Sequence, residues 1–306
     1  MSNSPAMAGI PLVLGGNVFG WTADEDTSFA ILDAFYAAGG RMVDTADVYS
    51  AWVPGHKGGE SETVLGAWLE SRGVRKDMRI HTKTGMQGGA ELYGPERLLQ
   101  SLDHSLERLR TDFIDLYYAH KDYPELPIAE IVAAFGGATD KVRSLGASNF
   151  TAARLSAALA AAKDAGSMPF TALQNEYNLV SRATYGADLQ AICTTHSVEM
   201  FPFYGIANGF LTGKYRTEAD LGKSIRGTRM KELIVTGAPM LAAMDAIAAD
   251  TGASLAQIAL AWLNAQPGIG APIASATSVK QVEDLCGMAS LTLSAEQLAS
   301  LDRAGS

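Results

Sequence analysis

Residues 42–49 read MVDTADVY, from Met42 to Tyr49, and this stretch decides the fold. A short apolar strand, Arg41 to Val43, delivers Asp44 at its end, and Tyr49 follows five residues on in a loop. Three later strand-like runs end in the same manner. RIHTK delivers Lys83, FIDLYYAH delivers His120, and TALQNEY carries Gln174 and Asn175. An acid, a phenol, an ammonium and an imidazole, each tied to the end of its own strand or the loop after it, are the sequence form of a converging catalytic site. Alone, Asp44 reads as a loop cap, Lys83 with Asp44 as a rim ion pair, and His120 as a core histidine. The four together at a regular pitch read as chemistry.

Outward from that stretch, strand ends fall near residues 16, 44, 83, 120, 148, 175, 204 and 274. Apart from the last, the gaps run from about 27 to 39 residues, roughly one strand, one helix and two loops. Near-continuously apolar strands alternating with helical patterns imply a parallel sheet covered by helices. The first strand is PLVLGGN, Pro11 to Asn17. Gly94-Pro95 opens a helix whose apolar face is Leu98, Leu99, Leu102, Leu106 and Leu109. Ala152 to Lys163 is a second, closed by Gly166. Capping boxes at Ser254/Gln257, Ser278/Gln281 and Ser294/Gln297 start the last three. A doubly wound nucleotide-binding sheet would carry G-x-G-x-x-G after its first strand. The first turn, GGNVFGW, lacks that spacing. The reading is therefore an α/β fold, a (β/α)₈ TIM barrel, with its active site at the C-terminal ends of the strands. Residues 1–306 read as a single domain. The gap from Tyr204 to Ala274 reads as a long loop over the site at 207–239, then helices Met240 to Asp250 and Leu255 to Ala265.

The 306 residues carry a formal net charge of −9, with 47% hydrophobic and 19% charged residues. No basic stretch makes a nucleic-acid footprint, and no apolar run approaches the roughly 18 residues of a membrane span. The first residues lack the basic start and apolar core of a secretory signal. Cys193 and Cys286 stand alone, so they read as reduced thiols of a cytoplasmic protein. No His pair has metal-ligand spacing, and no metal is expected. His81, two residues before Lys83 and on the same strand face, reads as structural. No feature fixes an oligomeric state.

The chain resembles the aldo-keto reductase family over nearly its whole length. The matching stretches are VDTADVY, GESETVLGAWL, IHTKTG, SLERLRTDFIDLYYAHKD, GASNF, QNEYN, PFYGIANGFLTGKY and PIASATSVKQVEDL, in that order. The resemblance implies a (β/α)₈ barrel that binds NADP(H) and interconverts carbonyls and alcohols. It puts a catalytic tetrad at Asp44, Tyr49, Lys83 and His120. It has Ser148, Asn149 and Gln174 hold the nicotinamide amide while Phe203 stacks on the ring, with Gly16 and Asn17 at the ribose. Gly213 and Lys214 would approach the pyrophosphate, and Ser275, Thr277, Ser278, Gln281 and Asp284 the adenosine phosphate and adenine. A glutamine, Gln281, stands where the family most often has a basic residue, with Lys280 beside it. NADP(H) is thus the expected cofactor and NAD(H) the weaker alternative.

Hydride addition to a carbonyl builds an alkoxide that needs a proton as it forms. A free tyrosine, with a pKa near 10, is a sluggish proton donor. A lysine ammonium about 4 Å away favours the phenolate, so Lys83 is expected to pull Tyr49 down. Asp44 would hold Lys83, and His120 would donate to the substrate oxygen. Phe19, Trp21 and Trp52, in loops after the first two strands, are the expected substrate wall, with Met86 to Tyr93 and the Tyr123 loop as weaker candidates. Trp68 and Trp262 read as core. Two other functions compete: a regulatory subunit resembling potassium-channel β subunits, and a cofactor-free barrel isomerase or lyase. The short leader disfavours the first, and SNF, QNEY and SVKQ together disfavour the second.

Overall fold

Eight short strands form the frame of the computed structural model, which describes residues 7–223 and 227–305. They are β1 (Val13–Gly15), β2 (Met42–Asp44), β3 (Arg79–Thr84), β4 (Leu116–Ala119), β5 (Leu145–Ser148), β6 (Phe170–Gln174), β7 (Glu199–Met200) and β8 (Ile273–Ala274). Each pairs in parallel with its sequence neighbour from β1 to β7, and β8 pairs with β1. The ring closes through irregular backbone. Met200 N–H donates to Gly268 O, Gly270 N–H to Met200 O and Ile273 N–H to Pro202 O, all at 2.8 Å. The result is a (β/α)₈ barrel.

Helices cover it: α1 (Glu25–Ala37), α2 (Glu60–Arg72), α3 (Pro95–Leu109), α4 (Ile128–Gly136), α5 (Ala152–Ala165) and α6 (Ala187–His196) in the first six units. After β7 come α7 (Lys231–Thr236), α8 (Ala238–Thr251) and α9 (Leu255–Asn264), and after β8 come α10 (Val279–Cys286) and α11 (Ala295–Ala304). The caps that begin them are local chemistry. Thr151 accepts from Arg154 N–H at the start of α5, and Gly166 closes that helix at φ 61°. Complete capping boxes start α9 and α11. The third box is incomplete: Ser278 accepts from Gln281 N–H, but the Gln281 carbonyl turns to the Thr277 N–H instead. Leu99 is also not part of its helix's buried face. Among the described residues no single helix is long and apolar enough to cross a membrane.

Because successive side chains on a strand point to opposite sides, β3 serves two layers. Ile80 packs outward among helices, whereas His81 faces inward, its ring 5.3 Å from Phe201 and edge-on to Tyr118. His81 is thus a core histidine, one step below Lys83. Trp68 and Trp262 are fully buried, as read. The stretch 207–239 departs from an irregular loop. It holds turns of 3₁₀ helix at Ala207–Thr212, Glu218–Lys223 and Gly227–Met230, followed by α7. Arg216 fastens it sideways to α8 through a two-pronged pair with Asp245. The leader before residue 7 and positions 224–226 of that stretch lie outside the described residues.

Candidate active site

At the C-terminal mouth of the barrel lies a cavity of about 810 Å³. Its floor carries Asp44, His120 and Gln174 from the ends of β2, β4 and β6, with Tyr49 from the loop after β2, while Lys83 of β3 lies beneath the surface. Lys83, fully buried on β3, spends its three protons on three acceptors: Asp44 Oδ2 at 2.6 Å, Thr45 O at 2.8 Å and the Tyr49 hydroxyl at 2.9 Å. Asp44 is equally committed. Its Oδ2 also accepts from the Tyr49 hydroxyl at 3.2 Å, and its Oδ1 accepts from Gln174 Nε2 at 2.9 Å. The His120 ring stands 6.1 Å from the Tyr49 ring, and its buried Nδ1 has no hydrogen-bond partner among the described residues. Asn149, at φ 61°, donates from Nδ2 to His120 O and to Ser148 Oγ. The left-handed region suits asparagine better than most residues.

The electrostatics correct one expectation. Tyr49 is held well above the usual tyrosine range, first by burial and then by the Asp44 charge. Lys83 does not win because its ammonium is already matched by Asp44 at 2.6 Å, the same carboxylate oxygen that faces the Tyr49 hydroxyl. Burial pulls Lys83 itself down, against the Asp44 charge, which supports its proton. His120 is pushed well below the usual histidine range, by burial and then by Lys83. At neutral pH the floor therefore carries a phenol and a neutral imidazole.

The structure brings most of the expected site residues together and leaves several out. Asn17, Ser148, Asn149, Gln174, Phe203, Lys214, Ser275, Thr277, Gln281 and Asp284 all line the cavity. Gly16 lies just behind the wall, donating to Asp44 O at 2.7 Å while Gly15 takes the surface position. Gly213, at φ 76°, is a turn behind Lys214. Ser278 caps α10, and Lys280 is exposed on its first turn, neither of them on the wall. Asn175 binds Phe150 O and Thr184 O and does not reach the cavity. Phe19 is fully buried in the core, so it is no substrate wall. Trp52 is on the wall and 48% exposed, with Trp21 edge-on behind it at 5.5 Å. Met86 reaches the wall, but the Tyr93 and Tyr123 hydroxyls are spent on Lys121 O and Gly85 O.

Sequence reasoning missed Tyr204, Ile206, Asn208 and Thr212, which form the wall beyond Phe203. Their only local signal is Asn208-Gly209, because Ala207, Asn208 and Gly209 all take positive φ there. Strand β7 itself stops at Met200, and Phe203 makes only an isolated bridge to Glu176.

Comparison with known proteins agrees with this architecture. The model described as "Aldo/keto reductase family" matches residues 11–306. Norsolorinic acid reductase B of Aspergillus parasiticus is 31% identical over 91% of this chain and 75% of its own length. An aryl-alcohol dehydrogenase [NADP(+)] of Phanerodontia chrysosporium is 28% identical over 90% and 75%. An uncharacterised oxidoreductase of Bacillus subtilis is 30% identical over 95% and 90%.

Proposed function

Since this chain belongs to the aldo/keto reductase family, we propose that it is an NADP(H)-dependent oxidoreductase interconverting a small carbonyl and its alcohol, with Tyr49 as general acid and base. The observation that carries this reading is the Tyr49 hydroxyl, held by Lys83 at 2.9 Å on the floor of the cavity. In reduction, Tyr49 gives its proton to the forming alkoxide, and Lys83 stabilises the phenolate left behind. Asp44 orients Lys83, and neutral His120 donates a hydrogen bond to the substrate oxygen. In oxidation Tyr49 takes the proton back.

A bound nicotinamide supplies or accepts the hydride. The chain's fit to such a group rests on the cavity and its donors. Its volume is toward the upper end of the roughly 300–1,000 Å³ usual for ligand pockets, leaving room for a dinucleotide. Ser148, Asn149 and Gln174 would hold the amide end beside Phe203, and Lys214 would meet the pyrophosphate. The Gln281 amide and the amino end of α10, with Lys280 on it, would meet the adenosine end. There the Ser275 hydroxyl is already spent on Asn17 Oδ1 and the Thr277 hydroxyl on Gln281 Oε1. NADP(H) in preference to NAD(H) is supported by the bracketed cofactor in the name of the Phanerodontia relative. Trp52, Trp21 and Tyr204 favour a carbonyl carried on an apolar or ring-bearing body. The separate, buried Cys193 and Cys286 thiols suit a reducing compartment, the cytoplasm.

The test is turnover of NADPH against a panel of aldehydes and ketones, and of NADP⁺ against the matching alcohols. Cofactor binding is measured in parallel. Tight NADPH binding without turnover of any carbonyl or alcohol, together with capture of a protein partner, would favour a regulatory subunit instead.

A further inference from the structure

Behind β3, on the face away from the cavity, lies a second carboxylate pair that the chemistry above does not use. Asp47 belongs to the same loop as Tyr49. Its backbone N–H donates to Lys83 O at 3.1 Å, and its Oδ2 accepts from the Thr84 hydroxyl at 2.6 Å. Its Oδ1 is buried with no hydrogen-bond partner among the described residues. Thr84 in turn accepts the His120 N–H on its carbonyl at 2.9 Å. Glu62 of α2 completes the pair, accepting from Thr82 at 2.5 Å and Arg108 at 2.7 Å. Thr82 and Thr84 flank Lys83 in the chain, so Asp47 and Glu62 bracket the lysine's strand from outside while Asp44 holds its head from inside.

We propose that Asp47 is a positioning residue for the Lys83–Tyr49 pair. It registers the loop carrying Tyr49 on the strand carrying Lys83, and its charge supports the Lys83 ammonium from behind. This rests on the functional reading above for its catalytic consequence, not for its electrostatic one.

The groups facing Asp47 come from every element around it. Thr84 and Lys83 lie on β3, Glu62 on α2, Arg108 on α3 and Tyr117 on β4, with Tyr93 from the turn before α3. Burial pushes the Asp47 carboxyl up to about 7, the Thr84 hydrogen bond and Arg108 oppose, and Glu62 adds to the rise. The charges of Asp47 and Glu62 both help Lys83 keep its proton. A carboxyl raised in the folded state contributes stability that is full below its unfolded value of 3.8 and lost as pH rises through about 7.

Asp47→Asn keeps an acceptor for the Thr84 hydroxyl and removes the charge. In the full-length protein carrying lysine labelled at the ε carbon, with Lys83→Met for assignment, NMR titration should show Lys83 deprotonating at lower pH in Asp47→Asn than in wild type. Wild-type kcat should bend near pH 7, Asp47→Asn should lose the bend, and Thr84→Val should move it upward. Misplacing a catalytic pair by near 1 Å costs on the order of 100-fold, so loosening its register in Thr84→Val should lower kcat about tenfold. Thr84→Ser should restore the rate, and NADPH affinity should not change. The thermal stability of Asp47→Asn relative to wild type should rise from pH 5 to pH 8. An unchanged Lys83 titration in Asp47→Asn would overturn the proposal, as would a pH profile shared by wild type and both variants. If wild type reduces no carbonyl, the functional reading fails and the Lys83 titration alone decides this one.

Discussion

The two ends of the cavity are built on opposite principles. At the inner end Asp44, Lys83, Tyr49 and Gln174 form a buried network in which each polar group bonds another, and burial shifts Tyr49, Lys83 and His120 away from their usual protonation ranges. At the outer end Thr277, Lys280 and Gln281 are exposed, and the Thr277 N–H and hydroxyl both donate to Gln281 Oε1 on the surface. In a low-dielectric site a charge acts strongly on whatever it faces, whereas water and salt screen the same charge at the surface. Substitutions inside should therefore be close to all-or-none, and those outside graded.

The largest effect is expected from Lys83→Met. It leaves the Asp44 carboxylate buried without its cation, a loss of about 3–5 kcal/mol in stability, readable by urea denaturation. Turnover should collapse with it. Lys83→Met that denatures at the wild-type urea concentration and keeps near-normal kcat would break the contrast between the two ends. Next is Tyr49→Phe, which removes one hydroxyl and little else. General acid catalysis contributes about 10²–10⁴-fold, so kcat should fall by at least about 100-fold. NADPH affinity, measured by fluorescence titration, should stay near wild type. A variant retaining a tenth of wild-type kcat would remove Tyr49 as the acid.

The wall between the ends should behave in an intermediate way. Trp52→Ala uncovers part of an aromatic contact, at about 25 cal/mol per Å², and should raise KM for ring-bearing carbonyls while leaving a small aldehyde alone. Trp21→Ala should act in the same direction but less, because Trp21 stands behind Trp52. Equal losses across substrates would assign both rings to folding.

The smallest effect belongs to the outer end. A charge-assisted contact contributes about 1.5–3 kcal/mol, and exposure puts Lys280 at the weak end of that range. Wild type should prefer NADPH by about tenfold, and Lys280→Ala should erode that preference without touching NADH kinetics. Parity of kcat/KM between the two cofactors in wild type would refute the assignment.

The barrel and its floor were legible in the sequence because a parallel βα repeat returns every strand to the same face. Asp44, Lys83, His120 and Gln174 each lie at or beside the last residue of a strand, so position along the chain is enough to place them at one mouth. Local caps, such as Ser254 and Ser294, were legible for a similar reason, since their partners lie within three residues. Other features are set by distances between residues far apart in the chain. Phe19 sits in a loop that could equally turn in or out, and only its packing against the core decided. Tyr204 to Thr212 joined the wall because three consecutive residues take left-handed backbone, which the alanine at 207 does not announce. The direction in which Tyr49 shifts depended first on its burial and then on a carboxylate oxygen 3.2 Å from it, although an ammonium stands at 2.9 Å. Sequence named the charges around Tyr49; only the tertiary structure, by fixing their distances and their dryness, decided which of them prevails.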